Sequence, residues 1–183
     1  MTIVAIGDSI TEGYPYTKND SWVTYLAQEL KCEVINKGIN GDLTEIILER
    51  FRRDVLSFNP THVIILGGTN DAYANYPLEK VSPNFTEMVS ISKEAGIIPI
   101  LGLPLPSLVP AEEFFLIQYR DWLKNFVKTK GLLQIDFYTP FLKRLEAGEE
   151  SELFVDEVHP NLEGYKLMGQ TALNDLIIYL KNT

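Results

Sequence analysis

One cysteine and two histidines occur in 183 residues. The single thiol, Cys32, excludes an internal disulfide framework and a cysteine-built zinc site. It falls between a helical pattern and a strand-like run, where a small buried thiol is the plain reading. Positive charge is also short, with 16 Lys and Arg against 25 Asp and Glu and a net charge of −9. Such a surface repels phosphate backbones and anionic lipid, so nucleic acid and stable membrane association are not expected partners. The apolar run in Met1–Gly7 is too short for a membrane span. It also lacks the basic flank and small-residue cleavage site of a signal peptide, and a cytoplasmic product is the expectation. No repeat, low-complexity tract or linker divides the chain, and its length suits one domain over residues 1–183. A chain of this size buries roughly 70% of its unfolded surface without help from metal or disulfide.

What is present is a regular alternation. Short apolar runs at Ile3–Ile6, Val34–Asn36, Val63–Leu66, Ile97–Leu103 and Leu132–Asp136 read as buried parallel strands. Between them lie helical periodicities. Trp22, Leu26 and Leu30 follow a cap at Asp20 or Ser21, and Leu43, Ile47, Phe51 and Val55 follow Asp42. Phe85, Met88, Val89 and Ser92 follow Ser82-Pro83, read as a cap and a first-turn proline, with Gly96 closing the helix. Phe115, Tyr119, Trp122, Phe126 and Lys130 mark another helix, and a last one begins near Asn161. Strand–helix alternation of this kind implies βαβ units and a parallel sheet with helices on both faces.

Open α/β sheets bind ligands beyond the carboxyl ends of their strands. Those ends are Gly7-Asp8-Ser9, Gly38–Asp42, Gly67–Asp71 and the proline-rich Leu103–Pro110. Ser9 stands where a strand gives way to a helix N-terminus, whose N–H groups favour a developing anion. It is either a cap for that helix or a nucleophile, and the second role needs a base. His62 opens its strand at the amino end, opposite these loops, and reads as structural. His159 stands just before the last helix with Asp156 three residues upstream, close enough for a tight loop to set the carboxylate on the imidazole. Asn70 offers a side-chain donor for an oxyanion, and Gly41 an unobstructed backbone N–H. Gly7, Gly38, Gly67 and Gly68 also have a plain reading as turn residues.

These stretches resemble the blocks of the GDSL, or SGNH-hydrolase, family of esterases and lipases. Gly7-Asp8-Ser9-Ile10-Thr11-Glu12-Gly13 resembles the first block, Gly41-Asp42 the second, Gly68-Thr69-Asn70-Asp71 the third and Asp156–Pro160 the last. They occur in order across nearly the whole chain. The resemblance implies Ser9 as nucleophile, His159 as base and then acid, and Asp156 as its orienting partner. It implies an oxyanion hole made by the Ser9 and Gly41 N–H groups with the Asn70 amide, and no metal or organic cofactor. The implied fold is a three-layer α/β/α sandwich with a five-stranded parallel sheet in flavodoxin-like order. An α/β-hydrolase lacks support, because no Gly-x-Ser-x-Gly elbow occurs.

Substrate contacts are read from the neighbouring loops: Asp8, Tyr14, Tyr73 and Leu105, within a set that includes Tyr16, Tyr76, Leu103 and Leu108. Those rings form an aromatic wall or simply pack the loops. A small soluble acyl ester is the expected partner, whether a short-chain ester, an acetylated carbohydrate or a lysophospholipid-like molecule. Two other classes share the sheet. A nucleotide or flavin module is disfavoured because Gly7–Gly13 fits neither Gly-x-Gly-x-x-Gly nor a P-loop. A metal-dependent hydrolase would draw on Asp8, Asp156 and His159, without zinc-ligand spacing.

Overall fold

The N-terminal apolar run forms β1 (Thr2–Gly7), flanked on both sides by parallel neighbours. In this computed structural model, which describes residues 1–149 and 152–180 without the Leu180 side chain, the sheet order is β2-β1-β3-β4-β5. The other strands are β2 (Glu33–Gly38), β3 (His62–Leu66), β4 (Ile98–Gly102) and β5 (Leu133–Ile135), all parallel. This is the flavodoxin-like order that the resemblance implied. Strands β4 and β5 are shorter than the apolar runs suggest, because Ile97, Leu103 and Leu132 pack into the core just outside the ladder.

Strand side chains alternate between the two faces. Ile3 and Ala5 join Ile64, Ile100 and Ile135 on one face, while Val4 and Ile6 join Val63, Ile65 and Leu101 on the other. The first face is covered by α2 (Trp22–Leu30), α7 (Tyr138–Glu146) and α8 (Leu162–Leu180), through residues such as Trp22, Phe141 and Tyr165. The second is covered by α3 (Thr44–Asp54), α5 (Leu78–Glu94) and α6 (Pro110–Lys130), through Phe51, Phe85 and Leu123. Two short helices, α1 (Ser9–Glu12) and α4 (Thr69–Tyr73), follow β1 and β3. The three-layer α/β/α expectation holds, and every strand is matched. Among the described residues no helix is long and apolar enough to cross a membrane.

One helix start differs from expectation. Ser82-Pro83 does not open α5; the helix begins at Leu78 with Pro77 at its cap, and Pro83 lies inside it. Buried Val81 extends the apolar stripe of Phe85, Met88 and Val89 by one turn. That burial outweighs the loss of one N–H, since the carbonyl that Pro83 leaves unpaired belongs to exposed Glu79. Helix α7 carries no expectation of its own. Its start is marked by Asp136, which accepts from the Thr139 N–H and hydroxyl at 3.0 and 2.6 Å.

The sheet order reverses between β1 and β3, since the chain leaves β1 for β2 and then returns to the other side of β1. The crevice at such a reversal, outside the carboxyl ends, is where this architecture places a ligand. Ser9 follows β1 and Asn70 follows β3.

Candidate active site

Asp8 caps α1, its carboxylate accepting the Ile10 N–H at 3.0 Å, and Ser9 is therefore the first residue of that helix. Helix geometry leaves the Ser9 N–H without an intrahelical partner. The loop that faces it is closed by backbone pairing: Val155 donates to the His159 carbonyl at 3.0 Å and Asn161 to that of Leu153 at 2.8 Å. Inside this loop the Asp156 carboxylate accepts the N–H groups of Val158 and His159 at 2.9 and 2.7 Å. Its other oxygen lies 2.7 Å from His159 Nδ1, and His159 Nε2 lies 3.0 Å from Ser9 Oγ. Partial burial pushes the Asp156 carboxyl up, yet the two backbone donors and the imidazole outweigh it and hold the group below the usual carboxylate range. The hydroxyl, imidazole and carboxylate thus stand in one hydrogen-bonded line. In that line the carboxylate fixes the imidazole with Nδ1–H toward itself, leaving Nε2 as acceptor for the serine proton.

Asn70 stands on the opposite rim. Its amide donates to the Asp42 carbonyl at 3.0 Å, which uses one of two N–H groups and leaves the second for a ligand. Asp42 ends a turn, Ile39–Asp42, in which Gly41 has φ of +85° and no neighbour near the place of a Cβ. That turn is held by Ile39 donating to the Gly7 carbonyl at 3.0 Å and Asn40 to the Glu12 carboxylate at 2.9 Å. Gly38 has a different reason to be glycine: a Cβ there would meet the Glu12 nitrogen at 2.1 Å, so β2 ends in contact with the backbone of α1.

Beneath both rims lies a residue that motif reading misses. Arg50, 6% exposed on α3, donates to Asp42 at 2.6 Å, Asp54 at 3.1 Å, the Lys37 carbonyl at 2.9 Å and the Gly7 carbonyl at 2.8 Å. It thereby joins the ends of β1 and β2 to the turn that supports Asn70. The available signal is an arginine at i+3 from Ile47 within an apolar helical stripe. Asp71 plays a similar part, accepting from the Thr44 N–H and hydroxyl at 3.0 and 2.6 Å and so capping α3 from α4.

Ser9, Asn70, Asp156 and His159 line one cavity of about 320 Å³. Tyr73, expected as a substrate contact, lines the same cavity and is 75% exposed. Gly41 approaches only from the adjoining turn and does not line the cavity. Tyr14 lies edge-to-face with the His159 imidazole, with centroids 4.7 Å apart, and touches that ring rather than the cavity wall.

Two expected contacts are corrected. Asp8 is fully buried under α1, because its side chain turns inward to cap the helix, and it lines no cavity. Burial pushes its carboxyl up to about 7, with Asp71 and Asp42 adding to the effect and the Ile10 N–H opposing it. Leu105 is 2% exposed and packs into the core, while its carbonyl accepts from Arg120 at 3.1 Å. The proline-rich loop reaches the cavity through Val109 instead. Of the other loop rings, Tyr16 lies against Tyr165, and Tyr76 accepts the Tyr119 hydroxyl through its carbonyl. His62 lies at the far end of the sheet, with Nδ1 2.8 Å from the Thr61 hydroxyl. Among the described residues no group of three or more His, Cys, Asp or Glu is arranged to hold a metal ion.

Residues 5–167 match the profile of the GDSL-like Lipase/Acylhydrolase family. The chain belongs to that family. An arylesterase of Vibrio mimicus is 30% identical over 184 residues, covering 97% of this chain and 89% of the relative. A protein named uncharacterized lipoprotein YqeF, of Bacillus subtilis strain 168, is 30% identical over 142 residues. That match covers 70% of this chain but 58% of the relative, so the chain spans less than two thirds of that protein. A solved structure described as a lipolytic protein of the G-D-S-L family, from Desulfitobacterium hafniense DCB-2, superposes with a TM-score of 0.86. It is 36% identical and the match covers 95% of this chain and 98% of that one. Family membership sets the class of enzyme as a carboxylic ester hydrolase.

Proposed function

We propose that this member of the GDSL-like family hydrolyses a small, soluble carboxylic ester through an acyl-enzyme on Ser9. The observation that carries the reading is the unbroken line from Ser9 Oγ through both nitrogens of His159 to Asp156. His159 Nε2 takes the Ser9 proton as Oγ bonds to the acyl carbon, and the tetrahedral oxyanion draws on the Ser9 N–H and the open N–H of Asn70. The acyl C–O bond then breaks and the alcohol leaves with the proton held by His159. In the second half, His159 takes a proton from water as the hydroxyl adds to the acyl carbon. Collapse of that intermediate frees the acid and returns the proton to Ser9. Gly41 lies on the turn that Asn70 braces, and the family resemblance makes its N–H the third oxyanion donor.

The cavity volume of about 320 Å³ stands at the small end of ligand sites, which favours a short acyl group. The net charge of −9 disfavours an anionic lipid surface as the place of action. Ser9→Ala tests the assignment against p-nitrophenyl acetate. Loss of turnover with an unchanged melting temperature is the expected result, and retained turnover excludes Ser9 as nucleophile.

A further inference from the structure

Beyond the catalytic line, the cavity has an unusual charge balance. Glu112, at the start of α6, and Glu157, in the loop between Asp156 and His159, line it beside Val109 and Val158. Among the described residues that line it, none is Lys or Arg. The two glutamates are held on one wall. The Leu108 N–H donates to the Glu157 carbonyl at 2.8 Å, and the Ser107 hydroxyl donates to one Glu112 oxygen at 2.7 Å, leaving the other oxygen free of that bond. Behind them Arg120, 2% exposed, bonds part-buried Glu113 and the Leu105 carbonyl, which ties the loop of this wall to α6. Tyr73 stands at the same mouth with most of its ring open to solvent.

We infer that the site selects esters by the charge of their alcohol, favouring a cationic, ammonium-bearing alcohol over its neutral counterpart and rejecting an anionic one. The inference rests on the esterase reading above and adds to it a substrate class. An ammonium at the mouth meets a lining that carries two glutamates and an exposed aromatic residue, and both kinds of group attract a cation. A carboxylate or phosphate there meets the same two charges with no Lys or Arg among the described lining residues. The acid product is repelled by that wall as well, which favours its departure. Glu112 and Glu157 are thus specificity residues, separate from the Ser9–His159–Asp156 line that breaks the acyl C–O bond.

The test compares three acetates by proton release at constant pH. They are acetylcholine, its carbon isostere with a tert-butyl group in place of trimethylammonium, and acetoxypropionate. The expected kcat/KM for acetylcholine is about 10-fold above the isostere, and that for acetoxypropionate about as far below it. High salt narrows both gaps, because the groups are at the mouth and screened. In the Glu112→Gln/Glu157→Gln double variant the acetylcholine-to-isostere ratio falls toward one, and Tyr73→Leu lowers it in part. A wild-type ratio of one or less, or a ratio unmoved in the double variant, overturns the inference while hydrolysis of the isostere leaves the esterase reading intact. If none of the three acetates nor p-nitrophenyl acetate is hydrolysed, both readings fall together.

Discussion

Arg50 donates a hydrogen bond to the carbonyl of Gly7 at 2.8 Å, two residues before Ser9, from a helix that begins 35 positions further along the chain than the serine. The same guanidinium holds Asp42, whose carbonyl receives Asn70. One buried cation therefore joins the strand that delivers Ser9 to the turn that Asn70 bonds.

Removal of that cation should cost both stability and rate. Asp42 and Asp54 are 7% and 9% exposed, so Arg50→Met leaves nearly buried Asp42 without its cationic partner and Asp54 with Arg53 alone. Breaking such a pair costs on the order of 3 kcal/mol. In a chain of this size that lowers the melting temperature by roughly 6–12 °C. Arg50→Lys should recover part of the stability, because a charge remains, but an ammonium cannot reach four acceptors set in a planar fork. Its kcat should stay well below wild type when its melting temperature has largely returned. Thermal unfolding and steady-state kinetics on the two variants check the separation.

Asn70 is the proposed oxyanion donor whose role is easiest to isolate. Its amide makes one bond to the Asp42 carbonyl, which leaves a second N–H on a residue that lines the cavity. Asn70→Ala should lower kcat by about 10²–10³ with little change in KM, the usual result when an oxyanion donor is lost. Steady-state kinetics with p-nitrophenyl acetate read both constants. A rise in KM at constant kcat would assign Asn70 to ground-state binding.

Asp8 makes a prediction in pH. Burial raises its carboxyl in the folded chain from 3.8 to about 7. Below about pH 4 the group holds its proton in both states and adds nothing to the pH dependence. Between about pH 4 and 7 the unfolded chain releases the proton while the folded chain keeps it, so stability falls as pH rises and levels off above that window. Asp8→Asn keeps an oxygen for the Ile10 N–H and removes the titration. The variant should gain on wild type steadily as pH rises through that window, and urea melts of both proteins across it measure the difference. Parallel curves would show that Asp8 does not carry this proton.

Much of the site is legible in the sequence for a physical reason. Ser9, Asn70, Asp156 and His159 are polar residues at strand ends or in one tight loop, where chain direction alone decides that they meet. Asp8 and Leu105 mislead because a loop has no periodicity to say which way a side chain turns: one turned under to cap a helix and the other into the core. Arg50 escapes motif reading since its partners lie on both sides of it, at Gly7, Lys37, Asp42 and Asp54, and only the fold gathers them. Pro83 shows the converse limit. A local helix-start signal yields to the burial of Val81 when tertiary packing extends the apolar stripe.

Two glycines near the site separate steric need from conformational need. A Cβ at Gly38 would overlap the backbone of Thr11 and Glu12, at 2.5 and 2.1 Å, and backbone cannot rotate away as a side chain can. Gly38→Ala must therefore push α1, and Ser9 with it, away from the end of β2. At Gly41 nothing lies within 4 Å of the added carbon, so Gly41→Ala meets only the cost of φ at +85°, about 1–2 kcal/mol. The expected contrast is large loss of stability and activity together for Gly38→Ala. Gly41→Ala should lower the melting temperature by a few degrees, with a drop in kcat that tracks how far the turn supplies its N–H to the oxyanion. Kinetics at a temperature where both variants remain folded would distinguish the two, and equal losses would mean that β2 and α1 are not in the contact described.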